Sequence, residues 1–395
     1  MLVYFAIVAG FFLLFFLIPR KYSWAPMLLF VIALAIFAYH IVPNENDDIG
    51  RYFRIIDALR ADGYDRLQEM IRNNEFDFAS QPVAGYYYYF ISRFPDNHYL
   101  PFFTILIAYG LMMLVIYKTA NRFNADKFYM AVALFFMIST YWFYDLYSGT
   151  RNGLAFAVVL ACAYYHLAEK KRIILCFAGY ALACGLHSAG IVLVVLVLIA
   201  WATYRVGSKY VNVALIFSII IGSVGITVLS NILDNDFINN LAGKAEGAVS
   251  TLGISTQTTF FVNLAVYIVS VLIYAYCAVY INKYTDDKDG ARFFRLAEVV
   301  LFFLLGVIIS NMLFHRIVRW VLPVLIACVY MAGMQLQRDR LDKGLLSVAY
   351  DSDTPRAEKI RAMNKGATTF FVLGFSAVHF WYDFTGSSLA WLNLG

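Results

Sequence analysis

The sequence predicts an all-α membrane protein that crosses the bilayer about twelve times. Hydrophobic residues make up 62% of the 395 positions and charged residues only 14%, with a mean hydropathy of +0.67. Soluble domains are about 45–50% apolar and about 25% charged. The apolar residues also fall into separate runs of roughly 18 residues, the length that crosses about 30 Å of hydrocarbon. We therefore expect a bundle of membrane-spanning helices.

The apolar runs are predicted to form the spanning helices in chain order. Residues 1–18 have neither a basic n-region nor a small-residue cleavage site, so they predict a retained helix. The sixth and seventh runs form a short helical hairpin with Gly185, His187 and Gly190 at its tip. The runs are approximately 1–18, 23–42, 98–117, 127–144, 152–168, 172–186, 189–204, 211–230, 259–281, 293–314, 317–335 and 367–385.

Basic residues occur on alternate connections between these runs. They follow the first, third, fifth, seventh, ninth and eleventh runs, as Lys170, Lys171 and Arg172 follow the fifth. Because cytoplasmic loops are rich in Lys and Arg, these connections are predicted to be cytoplasmic and both termini non-cytoplasmic. No basic run is long enough to indicate nucleic-acid binding.

The chain is predicted to be a single integral membrane domain over 1–395 with three long connections. The outer connection 43–97 carries ten acidic residues against six arginines and predicts an amphipathic helix over 50–75. Its Tyr86 to Tyr89 cluster is typical of a headgroup belt or of sugar stacking. Connection 231–258 predicts a polar outer loop, and 336–366 a cytoplasmic loop.

An acidic pair opens the first outer connection. Asp47 and Asp48 follow the second run, and Arg51 comes about one helical turn later. A carboxylate at this place can act as a general base on a hydroxyl nucleophile. The alternative is that the pair only caps the helix that follows.

Arg151 opens the fifth run, between Gly149 and Gly153. Arginine binds phosphate oxygens bidentately, and flanking glycines allow a close approach of the backbone. We expect Arg151 to contact a lipid diphosphate, with a snorkelling interfacial arginine as the alternative.

Two histidine-containing segments complete the candidate residues. His187 at the hairpin tip can titrate near neutrality and reach a buried site. His315, Arg316 and Arg319 are three or four residues apart, so they share one face of a helix. Two arginines on the outer side require an anionic partner, which is either lipid phosphate or a protein carboxylate such as Asp145.

The sequence contains no motif of a covalent or nucleotide-hydrolysing enzyme. HExxH, GxSxG, Walker A and GxGxxG motifs are absent, and no metal-ligand cluster has a recognisable spacing. We therefore predict no cofactor and no metal. The five cysteines all lie in apolar runs and are interpreted as packing residues.

Four short motifs follow one another in order. NENDDIGRYF opens the first outer loop, SGTRNGLAFAVVLA follows about a hundred residues later, and then come EKKR and ACGLHSAGIVL. This order resembles the EpsG/Wzy-type family of bacterial surface-polysaccharide polymerases. The stretch from Arg151 to His187 is the specific part, and the remainder matches only in hydropathy.

The resemblance implies a GT-C-like fold and a metal-independent, inverting glycosyltransferase in the bacterial cytoplasmic membrane. Its substrates would be polyprenyl-diphosphate-linked oligosaccharides in contact with membrane lipids, and a chain-length regulator is a further candidate partner. His187 or Asp48 would accept the acceptor proton, with Asp47 as substitute. The aromatic residues near Tyr86 to Tyr89 and Trp142 would seat sugars. The diphosphate-binding residues would be Arg151, Arg316, Arg319, His315 and Arg51.

Three other functions remain open at this stage. A lipid-linked oligosaccharide flippase would need ionisable residues near the bilayer midplane, and the nearest, Glu298, lies close to the cytoplasmic end of its run. A polysaccharide O-acyltransferase would also use an outer or mid-membrane histidine. A ligase for finished polymer shares almost all the chemistry of a polymerase, so the sequence does not separate the two.

Overall fold

The computed structural model describes residues 2–43, 47–204, 209–218, 243, 258–342, 355–385 and 393–394. Helices account for nearly all of these residues, in agreement with the predicted all-α class. Within the described chain, β-structure is limited to β1 (Ile41–Val42) and β2 (Asn393–Leu394), which pair antiparallel with Ile41 opposite Leu394.

The first half of the described chain contains eight helices. Asp126 caps the sixth, because its carboxylate accepts a hydrogen bond from the Phe128 N–H at 2.8 Å. The elements are α1 (Leu2–Leu17), α2 (Trp24–Tyr39), α3 (Asp48–Arg72), α4 (Pro82–Ser92), α5 (Tyr99–Arg122), α6 (Lys127–Thr140), α7 (Phe143–Ser148) and α8 (Thr150–Ala163), with 3₁₀ turns at Arg20–Tyr22 and Glu75–Asp77 and a π-helical turn at Tyr164–Glu169.

The second half of the described chain contains eight more. Asp287 caps α13 through the Gly290 N–H at 3.0 Å. The elements are α9 (Ile173–Leu186), α10 (Ala189–Thr203), α11 (Lys209–Ile216), α12 (Thr258–Tyr284), α13 (Lys288–Val307), α14 (Asn311–Trp320), α15 (Leu322–Asp342) and α16 (Pro355–Thr385).

Helix α15 lies at the centre of the bundle. It packs against α5, α6, α12, α13 and α14, and every residue from Leu322 to Gln335 is buried. A helix that is buried on all sides is expected to be apolar on all sides. Apolar side chains such as Leu17, Ile174 and Val279 are exposed at the periphery, where a membrane protein contacts lipid.

Three of the described helices are long and apolar enough to cross a membrane, namely Arg20–Tyr39, Tyr99–Arg122 and Thr258–Tyr284. Met312–Trp320 and Leu322–Asp339 together make a fourth candidate, bent by 42°. Shorter apolar helices such as α6, with 14 residues, extend only about 21 Å at 1.5 Å per residue. The structure fits an all-α membrane protein, and the number of twelve crossings stays a prediction.

The two ends of the bundle carry different residues. At one end Tyr4, at the start of α1, packs against Phe37 of α2, Phe143 of α7 and Phe380 of α16. We call this the site end, because it also carries Asp48 and the candidate arginines described below.

The opposite end, here the basic end, is held by ion pairs between connections. Arg122 pairs with Asp287, and Lys118 lies 3.3 Å from Glu169. Burial alone would raise the pKa of Asp287, but the Arg122 guanidinium and the Gly290 N–H hold it below its usual range. This is the end at which the sequence predicts the cytoplasmic connections.

The structure differs from the sequence prediction at three places. The amphipathic helix α3 is kinked at Gly63, where φ is +71°, and it buries its apolar face against α4, a helix that the sequence did not predict. The predicted connection 336–366 is shorter, because α15 continues to Asp342 and α16 begins at Pro355. Most of the predicted outer loop 231–258 lies outside the described residues.

The third difference is the boundary between the tenth and eleventh predicted runs. The predicted boundary at about 315 is replaced by two breaks, one before Asn311 and one at Val321. The ten-residue α14 between them carries His315, Arg316 and Arg319.

Candidate functional site

Four helix ends meet at the site end and bring the candidate residues together. They are the starts of α3 and α8, the short α7 and the short α14. Of the candidates, Asp48 and Arg151 each lie close enough to Arg316 to affect it electrostatically, and the Tyr52 ring acts on both arginines. The sequence therefore predicted residues from distant segments that the fold does bring together.

The acidic pair is divided between two roles. Asp47 stands just before α3 and accepts a hydrogen bond from the Tyr144 hydroxyl of α7. An ionised carboxylate can only accept, so the Tyr144 hydroxyl is the donor in this bond. Asp48 pairs instead with Arg51 at 3.1 Å, and their side chains are 55% and 45% exposed. Asp48 is thus the more accessible carboxylate.

Arg151 is nearly buried and positioned by the polypeptide backbone. Its Nη1 donates to the Phe76 carbonyl at 3.0 Å and to Gln81 Oε1 at 3.4 Å. Its guanidinium lies 5.4 Å from the centre of the Tyr52 ring, a distance at which a cation is attracted to the ring face. These contacts fix where the charge lies without neutralising it.

The glycines beside Arg151 serve helix packing. A Cβ on Gly153 would lie 2.0 Å from Leu146 of α7, and one on Gly149 would lie 2.8 Å from the Asp145 carbonyl. Both glycines therefore let α7 approach α8. The expected access of a ligand to the backbone at these positions has no support in this geometry.

Arg316 on α14 lies within electrostatic range of Tyr52, Asp48 and Arg151. The side chain is only partly buried. Within the described part of the chain, no hydrogen bond or ion pair holds its guanidinium. Arg316 and Arg151 thus place two cations near one another, with Asp48 acting on the first and Asp77 on the second.

Arg319 has the protein carboxylate as its partner, which was the alternative considered from the sequence. It forms an ion pair with Asp145 of α7, donates from Nε to Asn263 Oδ1 at 3.1 Å, and is 3% exposed. Its guanidinium lies 3.4 Å from the centre of the Trp142 ring. The expected direct contact between Arg319 and diphosphate is therefore not favoured, because the guanidinium is already enclosed.

The expected sugar-stacking role of Trp142 is also not favoured. The ring is 4% exposed and lies against Arg319. Among the tyrosines of α4, Tyr88 is buried and lies 3.4 Å from the Thr150 hydroxyl, while Tyr87 contacts Thr104 at 3.0 Å. Only Tyr86 of these presents a largely open ring, with 46% exposure.

His315 lies one turn before Arg319 and is held by the same asparagine. Its Nδ1 is 2.7 Å from Asn263 Nδ2, and its Nε2 is 3.8 Å from Asp145 Oδ2. The side chain is 26% exposed. The predicted His315 and Arg319 pairing on one helix face is thus observed, with Asn263 and Asp145 added from two other helices.

His187 ends α9 and lies at the tip of the predicted hairpin. Its Nδ1 accepts a hydrogen bond from the Ala189 N–H at 3.0 Å. The tip packs on the start of α4, since a Cβ on Gly185 would lie 2.5 Å from Val83 Cγ2. Val83 follows Gln81 by two residues, so the hairpin adjoins the group that supports Arg151.

Sequence reasoning missed several residues of the site. Tyr52 contacts both Arg51 and Arg151, at 5.3 Å and 5.4 Å from the ring centre. The sequence signal for Tyr52 was that it directly follows the candidate residue Arg51. At the end of α16, His379 and Asp383 lie 3.7 Å apart and buried, and Asp383 acts electrostatically on Arg319. A carboxylate inside an apolar run was the signal for Asp383.

The geometry can bind an anion beside a carboxylate. Arg316 and Arg151 supply the positive charge, and Asp48 is an exposed acceptor for a proton. Among the described residues, no group of three or more His, Cys, Asp or Glu side chains could hold a metal ion.

Comparison with known proteins identifies a family for this site. A family model described as the EpsG family matches residues 48–346, which include every candidate residue except Asp47. No curated protein and no solved structure matches the chain. The chain belongs to the EpsG family, and the resemblance seen in its motifs is confirmed.

Proposed function

We propose that this EpsG-family chain is a membrane glycosyltransferase that polymerises polyprenyl-diphosphate-linked oligosaccharide repeat units. Family membership supports a polysaccharide-polymerase type of function. The observation that carries the proposal further is Arg316, whose guanidinium lies near Arg151 and the exposed Asp48 and is bonded to no described residue. This arrangement suits an anionic donor next to a base.

The diphosphate of the donor is placed against Arg316. A guanidinium that no carboxylate holds is available for bidentate hydrogen bonds to phosphate oxygens. Arg151 adds a second fixed charge, and Arg51 lies at the exposed rim. As the bond between the sugar and the diphosphate breaks, negative charge grows on the departing oxygen and these cations stabilise it. The reaction is therefore proposed to proceed without a metal.

The acceptor is a sugar hydroxyl of the next lipid-linked unit. Its oxygen attacks the anomeric carbon opposite the diphosphate, the bond from that carbon to the diphosphate oxygen breaks, and the configuration inverts. The hydroxyl proton passes to Asp48, the exposed member of the acidic pair, with His187 as the alternative. Asp47 is the substitute base, and its bond to Tyr144 makes it less available.

The proposed location is the outer face of the bacterial cytoplasmic membrane. The Lys and Arg residues at the basic end support an orientation in which that end is cytoplasmic. The site end, with the first and last described residues, would then face outward and meet substrates that have been flipped across the membrane. Membrane lipids surround the chain, and a chain-length regulator is the proposed protein partner.

Purified protein in nanodiscs tests this function. We expect polyprenyl-diphosphate-linked oligosaccharide to be converted into a ladder of longer lipid-linked products with EDTA present. The control is the same reaction with added Mg²⁺, which should give a ladder of similar length and rate.

Each other outcome contradicts part of the proposal. Products that stop after one transfer would identify a ligase, and a ladder only with Mg²⁺ would refute metal independence. No product from a verified substrate and folded protein would refute glycosyl transfer and favour a flippase or an O-acyltransferase.

A further inference from the structure

A line of hydrogen-bonding side chains runs beside Arg316 in the site. The Arg319 Nε–H donates to Asn263 Oδ1 at 3.1 Å, and Asn263 Nδ2 lies 2.7 Å from His315 Nδ1. Asn263 is fully buried on α12, and Asp145 holds the other side of the Arg319 guanidinium. Each group in the line therefore has a fixed place.

The direction of these bonds follows from the arginine. A guanidinium N–H can only donate, so the Asn263 oxygen faces Arg319 and its amide nitrogen faces His315. The amide nitrogen also only donates, so Nδ1 of His315 is the acceptor and carries no proton. The reversed amide would put two donors against each other at the arginine contact.

The one proton of the His315 ring is therefore on Nε2. An imidazolium would carry a second proton on Nδ1, facing the amide N–H of Asn263, and would lie close to two guanidinium groups. Nε2 is 3.8 Å from Asp145 Oδ2, which is longer than a hydrogen bond. The Nε2–H is thus available to an acceptor that enters the site.

We infer that Asn263 is a positioning residue that locks His315 as the neutral Nε2–H tautomer, so that His315 donates a hydrogen bond to the leaving diphosphate. The part of this inference in which His315 donates to the diphosphate rests on the proposed function. Because its basic nitrogen is occupied by Asn263, His315 does not compete with Asp48 or His187 for the acceptor proton. The sequence placed His315 with the phosphate-binding residues but contained no sign of Asn263, which is 52 positions away.

The tautomer is tested directly by nitrogen-15 NMR of the full chain with labelled histidine. The chain has six histidines, so the difference between wild type and His315→Gln isolates the His315 signals. We expect a protonated Nε2 and an unprotonated Nδ1 in wild type, and loss of this pattern in Asn263→Asp, whose carboxylate requires a proton on Nδ1. A charged His315 ring or a protonated Nδ1 in wild type would refute the proposal that Asn263 fixes the tautomer.

The hydrogen bond from His315 to the diphosphate is tested by measuring ladder formation with two His315 variants. His315→Gln keeps a neutral N–H donor and should retain activity within about 10-fold, whereas His315→Leu should lose about 100-fold, the effect of removing one charge-stabilising donor. His98→Gln, which lies outside the site and pairs with Asp96, is the control and should be unchanged.

Equal loss in the two His315 variants, when both fold by size-exclusion chromatography, would refute the donor role. If wild type forms no ladder, the proposed function and the donor role both fail. The NMR measurement tests whether Asn263 fixes the His315 tautomer, whether or not ladders form.

Discussion

Two arginines three residues apart on α14 have opposite environments. Arg319 is enclosed by Asp145, Asn263 and Trp142, whereas Arg316 is partly exposed and unbonded among the described residues. A buried ion pair that loses one partner leaves an uncompensated charge, which costs about 3–5 kcal/mol. Arg319 therefore stabilises the packing of the helices, whereas Arg316 is available to bind a ligand.

This difference predicts distinct effects of two similar variants. Arg316→Ala should lower polymerisation about 100- to 1,000-fold with an unchanged melting temperature, because it removes charge stabilisation of the leaving group. Arg319→Ala should lower the melting temperature in detergent, because the Asp145 carboxylate, only 18% exposed, loses its cation. Ladder formation and a thermal melt measure the two effects.

The matched control for both is Arg54→Ala, an exposed arginine on α3, which should change neither quantity. Full-length polymer from Arg316→Ala would contradict its assignment to the diphosphate. An unchanged melting temperature in Arg319→Ala would contradict the structural role of its ion pair with Asp145.

At the scale of elements, short helices and tight contacts position the site. α14 exists as a separate helix because the chain breaks before Asn311 and again at Val321, and this sets the direction of Arg316 independently of α15. The α9–α10 tip is held against α4 by the absence of a side chain at Gly185. Since α4 begins next to Gln81, we expect a shift of the tip to disturb the support of Arg151.

We therefore expect Gly185→Ala to shift the side chains of both His187 and Arg151 from their positions in the site. The new Cβ would lie 2.5 Å from Val83 Cγ2, and overpacking of this kind costs about 1–3 kcal/mol. We expect about a tenfold fall in ladder formation, the effect of about 1.4 kcal/mol, together with a lower melting temperature. The double variant Gly185→Ala/Val83→Ala should recover most of both.

Gly110→Ala is the control for this pair, because the nearest described atom to its Cβ would be Val31 Cγ1, at 4.0 Å. No recovery in the double variant would show that the contact between Gly185 and Val83 does not position the site.

At the scale of the whole molecule, the two ends of the bundle carry different sets of charged residues. The basic end joins connections through pairs such as Arg122 with Asp287, and the site end carries the acidic pair and the candidate arginines. In the proposed orientation, an arginine at the site end is contrary to the usual preference for the cytoplasmic side. The proposed substrate anion would account for Arg151 and Arg316 at that end.

The orientation is tested by labelling with a membrane-impermeant maleimide. The background is a chain in which all five native cysteines are changed to alanine. Glu69→Cys, at a side chain that is 57% exposed at the site end, should react in intact cells. Lys171→Cys, with 72% exposure at the basic end, should react only after permeabilisation. The opposite pattern would invert the proposed topology.

The sequence by itself determined the membrane class, the alternation of basic connections, the family and most of the candidate residues. These depend on composition, on the length of apolar runs and on local motifs, which do not require knowledge of packing. The sequence also limited the anionic partner of Arg316 and Arg319 to two possibilities, lipid phosphate or a carboxylate such as Asp145.

Only the tertiary structure separated the two arginines, by giving Arg319 a carboxylate partner and leaving Arg316 without one among the described residues. Arg316 and Arg319 have the same side chain and nearly the same sequence neighbours, so no local rule separates them. The ion pair of Arg319 joins residues 174 positions apart, and its bond to Asn263 joins residues 56 apart. Such contacts arise when helices pack, and the enclosure of a charge by three helices is a property of the packing and not of any one segment.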